Sequence, residues 1–109
     1  MTIKVSVGIG LHNEDWNSAA IWASEVERLG VDTIWSAETW GFDATSPLAF
    51  LASHTNTINL GTGIMQIGAR SPATIAMTAL SLASMTNDRF ILGLGTSGPQ
   101  VIEGWHGVN

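Results

Sequence analysis

The residues best equipped for chemistry fall in four short runs rich in glycine, hydroxyls, amides or acids. They are His12-Asn13-Glu14-Asp15-Trp16, the run Ser36 to Asp43, the run Gly61 to Arg70, and Gly93 to Pro99. Glu38 brings a carboxylate that can exchange a proton or contact a bound group, and equally can cap the turn that follows it. His12 and His106 lie in two of the loops, whereas His54, at an expected helix end, most simply satisfies the terminal carbonyls. Arg70 stands just before a helix start, where an ion pair is the commoner fate than a phosphate contact. No His/Asp/Glu cluster has metal-ligand spacing and there is no cysteine, so no metal is expected and neither a disulfide framework nor a thiolate site is available. Gly93, Gly95 and Gly98 spell G-x-G-x-x-G. Pro99 follows immediately, however, and the only acid beyond Gly98 is Glu103, so the ribose-binding acid of a dinucleotide fold is missing.

These runs need elements to hold them. Ile3 to Leu11 reads as a strand. Asn13 or Asp15 can cap a helix over 16–29, in which Ala19, Trp22, Ala23, Val26 and Leu29 share a face and Gly30 supplies the stop. Val31 to Ala37 is a second strand, with Trp35 as packing. Ser46-Pro47 and Ser71-Pro72 each place a cap before a proline, starting helices over 46–54 and 71–85. Strands fit at 58–63 and 90–95. Four strands alternating with three helices, at about 30 residues per unit, predict βαβ units and a parallel sheet. In such folds function collects where strands end and helices begin, which is where the four runs lie.

The 109 residues suit one domain, spanning 1–109, whereas a complete (β/α)8 barrel needs roughly 250 residues. We expect the sequence to be truncated, because it stops where a fourth helix is due. Apolar residues make up 45% and charged residues 12%, which excludes a disordered tail. Lys4, Arg28, Arg70 and Arg89 are scattered within a net charge of −5, so neither nucleic acid nor an anionic membrane is an expected partner. No signal peptide or membrane span is legible, and a cytoplasmic protein is the expectation.

Three runs together carry a specific resemblance. Leu60 to Pro72 resembles the third strand and loop of the bacterial luciferase-like superfamily, and Asn87-Asp88-Arg89-Phe90-Ile91-Leu92-Gly93-Leu94-Gly95 resembles its fourth strand. Ser97 to Val108 is similar to the branch that uses the deazaflavin coenzyme F420, methylenetetrahydromethanopterin reductase-like enzymes included. The resemblance implies the N-terminal half of a (β/α)8 barrel with a deazaflavin or flavin at its mouth. Hydride transfer between reduced F420 and a small organic substrate is then the implied activity, with an FMN-dependent monooxygenase as the alternative. A non-catalytic half-barrel or interaction module is the reading of a different class.

The resemblance places Glu38 beside the cofactor as the catalytic candidate and Trp40 as a wall of its ring. Gly63, Ile64 and Met65 would underlie the ring system, while Thr96, Ser97 and Gly98 would line its polar edge. It implies a cis peptide between Gly63 and Ile64, and a homodimer through helices 46–54 and 71–85. Thr39 departs from the sugar-phosphate dehydrogenase branch, which has histidine there, and no glutamate stands near Gly98, so that branch's acid–base pair does not carry over. The proton donor is then Glu38, His12 or a residue beyond these 109.

Overall fold

A computed structural model describes residues 2–9 and 15–109. Strand β1 (Ser6–Gly8) is followed by α1 (Trp16–Arg28), β2 (Thr33–Ser36), α2 (Thr45–Ala52) and β3 (Asn59–Thr62). Then come β4 (Met65–Gln66), a 3-10 turn (Ile67–Ala69), α3 (Pro72–Met85), β5 (Phe90–Ile91), β6 (Leu94–Gly95) and α4 (Pro99–Ile102). The main sheet has the order β1-β2-β3-β5, every pair parallel, as right-handed βαβ units require. The expected α/β architecture is therefore present.

Helix starts follow local chemistry. Asp15 caps α1 by accepting from the Ser18 amide, and Ser71 caps α3 by accepting from that of Thr74. Gly30 leaves α1 at φ 86°, in the left-handed region that favours glycine. The start of α2 differs from expectation. Ala44 is already helical, at φ −79° and ψ −26°, so Ser46-Pro47 falls inside the first turn. The cap is Asp43, whose carboxylate accepts from the amides of Thr45 and Ser46 at 3.1 and 2.8 Å.

One core lies between the sheet and the first two helices, around Ala23, Ile34, Leu48, Leu51, Ile58 and Leu60. On the opposite face Trp35 spreads over Gly61 and Gly63, and a Cβ on Gly61 would meet the Trp35 ring and Ile91. Gly61 in β3 and Gly63 just after it thus make room for the indole on the sheet face away from this core.

The fourth expected strand breaks in two, as β5 and β6, while the third ends at Thr62 and a further short strand, β4, follows beyond its expected limit. The Thr62 hydroxyl donates to the Gly93 carbonyl at 2.8 Å and accepts from the Gly93 amide at 2.9 Å, taking over positions a backbone ladder would fill. A Cβ on Gly93 would overlap the Thr62 carbonyl oxygen, so only glycine fits there. Beyond the break, β4 and β6 pair in parallel as a separate two-stranded ribbon.

The end of the sheet away from the strand C-termini carries two polar clasps. Glu27 accepts from three successive amides, Asn56, Thr57 and Ile58, at 2.8 to 3.0 Å. Arg89 donates to the carbonyls of Thr55, Ile58 and Thr86.

Candidate active site

The segments after β2, β4 and α4 meet at the C-terminal ends of the strands, and a buried polar network joins them. Glu38, 8% exposed, is its first member. Arg70 grips it with two parallel bonds of 2.7 Å, Nη1 to Oε1 and Nη2 to Oε2. The amides of Ala44 and Gln66 donate to the same carboxylate at 2.8 and 3.0 Å. Burial alone would push the Glu38 carboxyl up, but the Arg70 pair and the two amides outweigh it and hold it below the ordinary carboxylate value. At neutral pH Glu38 is an anion with four donors, so its geometry favours anchoring over proton delivery. Arg70 takes the ion-pair role read from sequence.

Gln66 is the second member and is almost completely enclosed. Its side-chain nitrogen donates to the Glu38 carbonyl at 2.9 Å, and its oxygen faces His106 Nε2 at 2.6 Å. His106 stacks on Trp105, and Trp105 on Trp40, with ring centroids 5.1 and 5.0 Å apart. Trp40 and Trp105 present this stack to solvent, at 62% and 51% exposure.

The other predicted residues scatter around this network. The Gly63–Ile64 peptide is cis, Gly63 is open to solvent and Ile64 is half-buried. Gly95 lies against Ile64, where a Cβ would crowd the isoleucine side chain. Met65 is fully buried beneath, in β4. Thr96 and Ser97 are exposed, Gly98 caps α4, and Ser97 adopts a left-handed φ of 63°. His54 accepts the helix-end role, its Nδ1 lying 2.9 Å from the Phe50 carbonyl oxygen. His12 lies outside the described residues. Gln66 was missed in the sequence, as was the Asp43 cap. Among the described residues no group of three or more His, Asp or Glu side chains is placed to hold a metal.

The family model for luciferase-like monooxygenases matches residues 1–109. The chain belongs to that family. Within it, a Mycobacterium tuberculosis protein named as a coenzyme F420-dependent oxidoreductase is 52% identical over 81 residues, which cover 74% of this chain and 23% of that protein. The coenzyme F420-dependent tetrahydromethanopterin reductase of Methanopyrus kandleri superposes with a TM-score of 0.82 at 21% identity, covering all of this chain and 31% of that one. The oxygenating constituent of 3,6-diketocamphane monooxygenase from Pseudomonas putida, solved with FMN, gives 0.84 at 15% identity, covering 99% and 33%. This luciferase-like chain thus spans about a quarter to a third of these relatives, and its parallel sheet matches part of their TIM-barrel fold. Among the described residues no helix is long and apolar enough to cross a membrane.

Proposed function

We propose that this chain supplies part of the mouth of an oxidoreductase that moves a hydride between reduced coenzyme F420 and a small organic substrate. The observation that carries this reading is the 52% identity to a protein named for F420, in a family whose strand ends meet here. The residues present fit a flat ring. Gly63 is exposed just after β3, with Trp35 against its Cβ side, Ile64 stands beside it against Gly95, and Thr96 and Ser97 are exposed at the edge, the Thr96 hydroxyl donating to the Ser97 carbonyl. Trp40 and Trp105 add an aromatic wall.

Bound there, the deazaflavin supplies the hydride chemistry, and the protein contributes binding, face selection and electrostatics. Glu38 belongs beside it as an anchor: clasped by Arg70, it fixes the segment that carries Trp40 relative to the strand that carries Gln66. Arg70 spends both terminal nitrogens on Glu38, so it is not the residue that neutralises an anionic cofactor tail. A proton needed by the substrate comes from a group other than Glu38.

FMN in a monooxygenase is the second reading, favoured by the likeness to the FMN-bound structure. Calorimetric titration of the full-length protein, as distinct from these 109 residues alone, with F420 and with FMN separates them: micromolar binding of F420 alone supports the first, and of FMN alone the second. The reading also includes a cytoplasmic location and a homodimer. The outer face of α3 presents Met77 and Leu80, 60% and 72% exposed, among small residues Ala73, Ala76 and Ser84, which suits the approach of a second copy.

A further inference from the structure

Gln66 uses every polar atom it has. Its amide donates to Glu38 Oε1, its carbonyl accepts from Arg70 at 3.2 Å, and its side-chain nitrogen donates to the Glu38 carbonyl. A backbone carbonyl can only accept, so the side-chain nitrogen must face it and the side-chain oxygen must face His106. That oxygen is itself only an acceptor. At 2.6 Å from His106 Nε2 it therefore requires a proton on Nε2. A neutral imidazole so held keeps its lone pair on Nδ1, for which no hydrogen bond is found among the described residues. The ring cannot easily flip, which would set Cε1 in place of Nε2 against the Gln66 oxygen. Trp105 lies parallel to one face at 16°, and Gly68 is so close that a Cβ there would meet the His106 Cδ2 and Cβ atoms at 3.1 and 3.2 Å.

We infer that Gln66 is a positioning residue that locks His106 in the Nε2–H tautomer, so that the loop after α4 offers Nδ1 as a hydrogen-bond acceptor to an N–H or O–H group of a small molecule bound at the mouth. The acceptor half of this inference rests on the proposed function, whereas the tautomer lock does not. The ligand class follows from the site: a planar molecule that lies along the aromatic stack and carries a donor at its edge. Glycine at 68 is part of the device, because a Cβ there would overlap Ile102 Cδ1 and press on the imidazole.

Nitrogen-15 NMR of the full chain with labelled histidine tests the lock without any ligand. The expected result is a slowly exchanging Nε2–H proton on His106 with the Nδ1 of the neutral ring unprotonated; a dominant Nδ1–H form overturns the inference. Gln66→Met should make that proton exchange rapidly. Should the variant fail to fold, a second pair decides. His106→Gln can still reach the Gln66 oxygen with an N–H and should melt within a few degrees of the parent, while His106→Leu strands that oxygen and should melt lower. Equal melting of the two overturns the lock. For the acceptor role, His106→Gln should weaken F420 binding about threefold to tenfold, one hydrogen bond's worth, and unchanged affinity overturns it. A full-length parent that binds neither F420 nor FMN, yet shows the Nε2–H signal, refutes the proposed function and leaves the lock standing.

Discussion

Changing Glu38 to glutamine removes one negative charge and leaves the Arg70 guanidinium, largely out of solvent, facing a neutral amide. Breaking one partner of such a pair strands the other charge, and with two backbone amides also losing an anionic acceptor we expect a loss of about 2–4 kcal/mol. Urea unfolding checks this, and a loss under about 0.5 kcal/mol would show the pair to be ornamental. The same residue sets part of the acid response. Glu27, Glu38 and Asp43 are all held below their ordinary values: burial opposes ionisation in each, and backbone amides, joined at Glu38 by Arg70, outweigh it. A depressed folded-state value means stability that is present above the unfolded-state value and lost as pH falls through the folded one. The melting temperature should therefore be flat from neutrality down to about pH 5 and fall below 4.5, the ordinary glutamate value. A chain that melts equally at pH 3 and pH 7 would contradict these assignments.

At the scale of elements, Asp43 rather than Ser46 holds the start of α2. Asp43→Ala should cost about 1 kcal/mol, the usual value of a lost cap, while Ser46→Ala should cost a few tenths; scanning calorimetry separates them. On α3, Ser84→Arg should convert dimers to monomers by sedimentation, and an unchanged dimer would remove that helix from the interface. The alternation of strands and helices was legible because its signals are local: periodicity, caps, and prolines or glycines at fixed offsets. The caps of α1 and α3 were readable for that reason, and α2 misled because two valid caps stand three residues apart. The polar network was not legible. Gln66 finds its partners 28 and 40 residues away, at Glu38 and His106, and nothing in its neighbours along the chain marks it as a junction. The division of the fourth strand was equally hidden, since it depends on one threonine hydroxyl entering the ladder from 31 residues away.

For the molecule as a whole, a four-stranded open sheet leaves β1 and β5 as edges, and among the described residues no strands oppose the Trp35 face. The 109-residue chain by itself should therefore bind F420 and FMN poorly and tend to associate; calorimetry showing micromolar binding by a monodisperse monomer would contradict this. The family could be read before any coordinates because the resemblance rested on three whole runs, Leu60 to Pro72, Asn87 to Gly95 and Ser97 to Val108, and not on one short motif. Which residues anchor and which face a ligand could not, because that division is set by burial.

The Glu38 carboxylate has a further consequence for motion. It holds the amide of Ala44, at the entrance to α2, and the amide of Gln66, on β4, with its two oxygens. Release of either amide by movement of its own segment alone takes one of four donors from a buried carboxylate. The two segments should therefore open together or not at all, as one cooperative unit. In native-state hydrogen exchange, the Ala44 and Gln66 amides, far apart in the chain, should share one opening free energy and one denaturant dependence. Glu38→Gln should lower both by the same amount while leaving the amides clasped by Glu27 at the other end of the sheet unchanged.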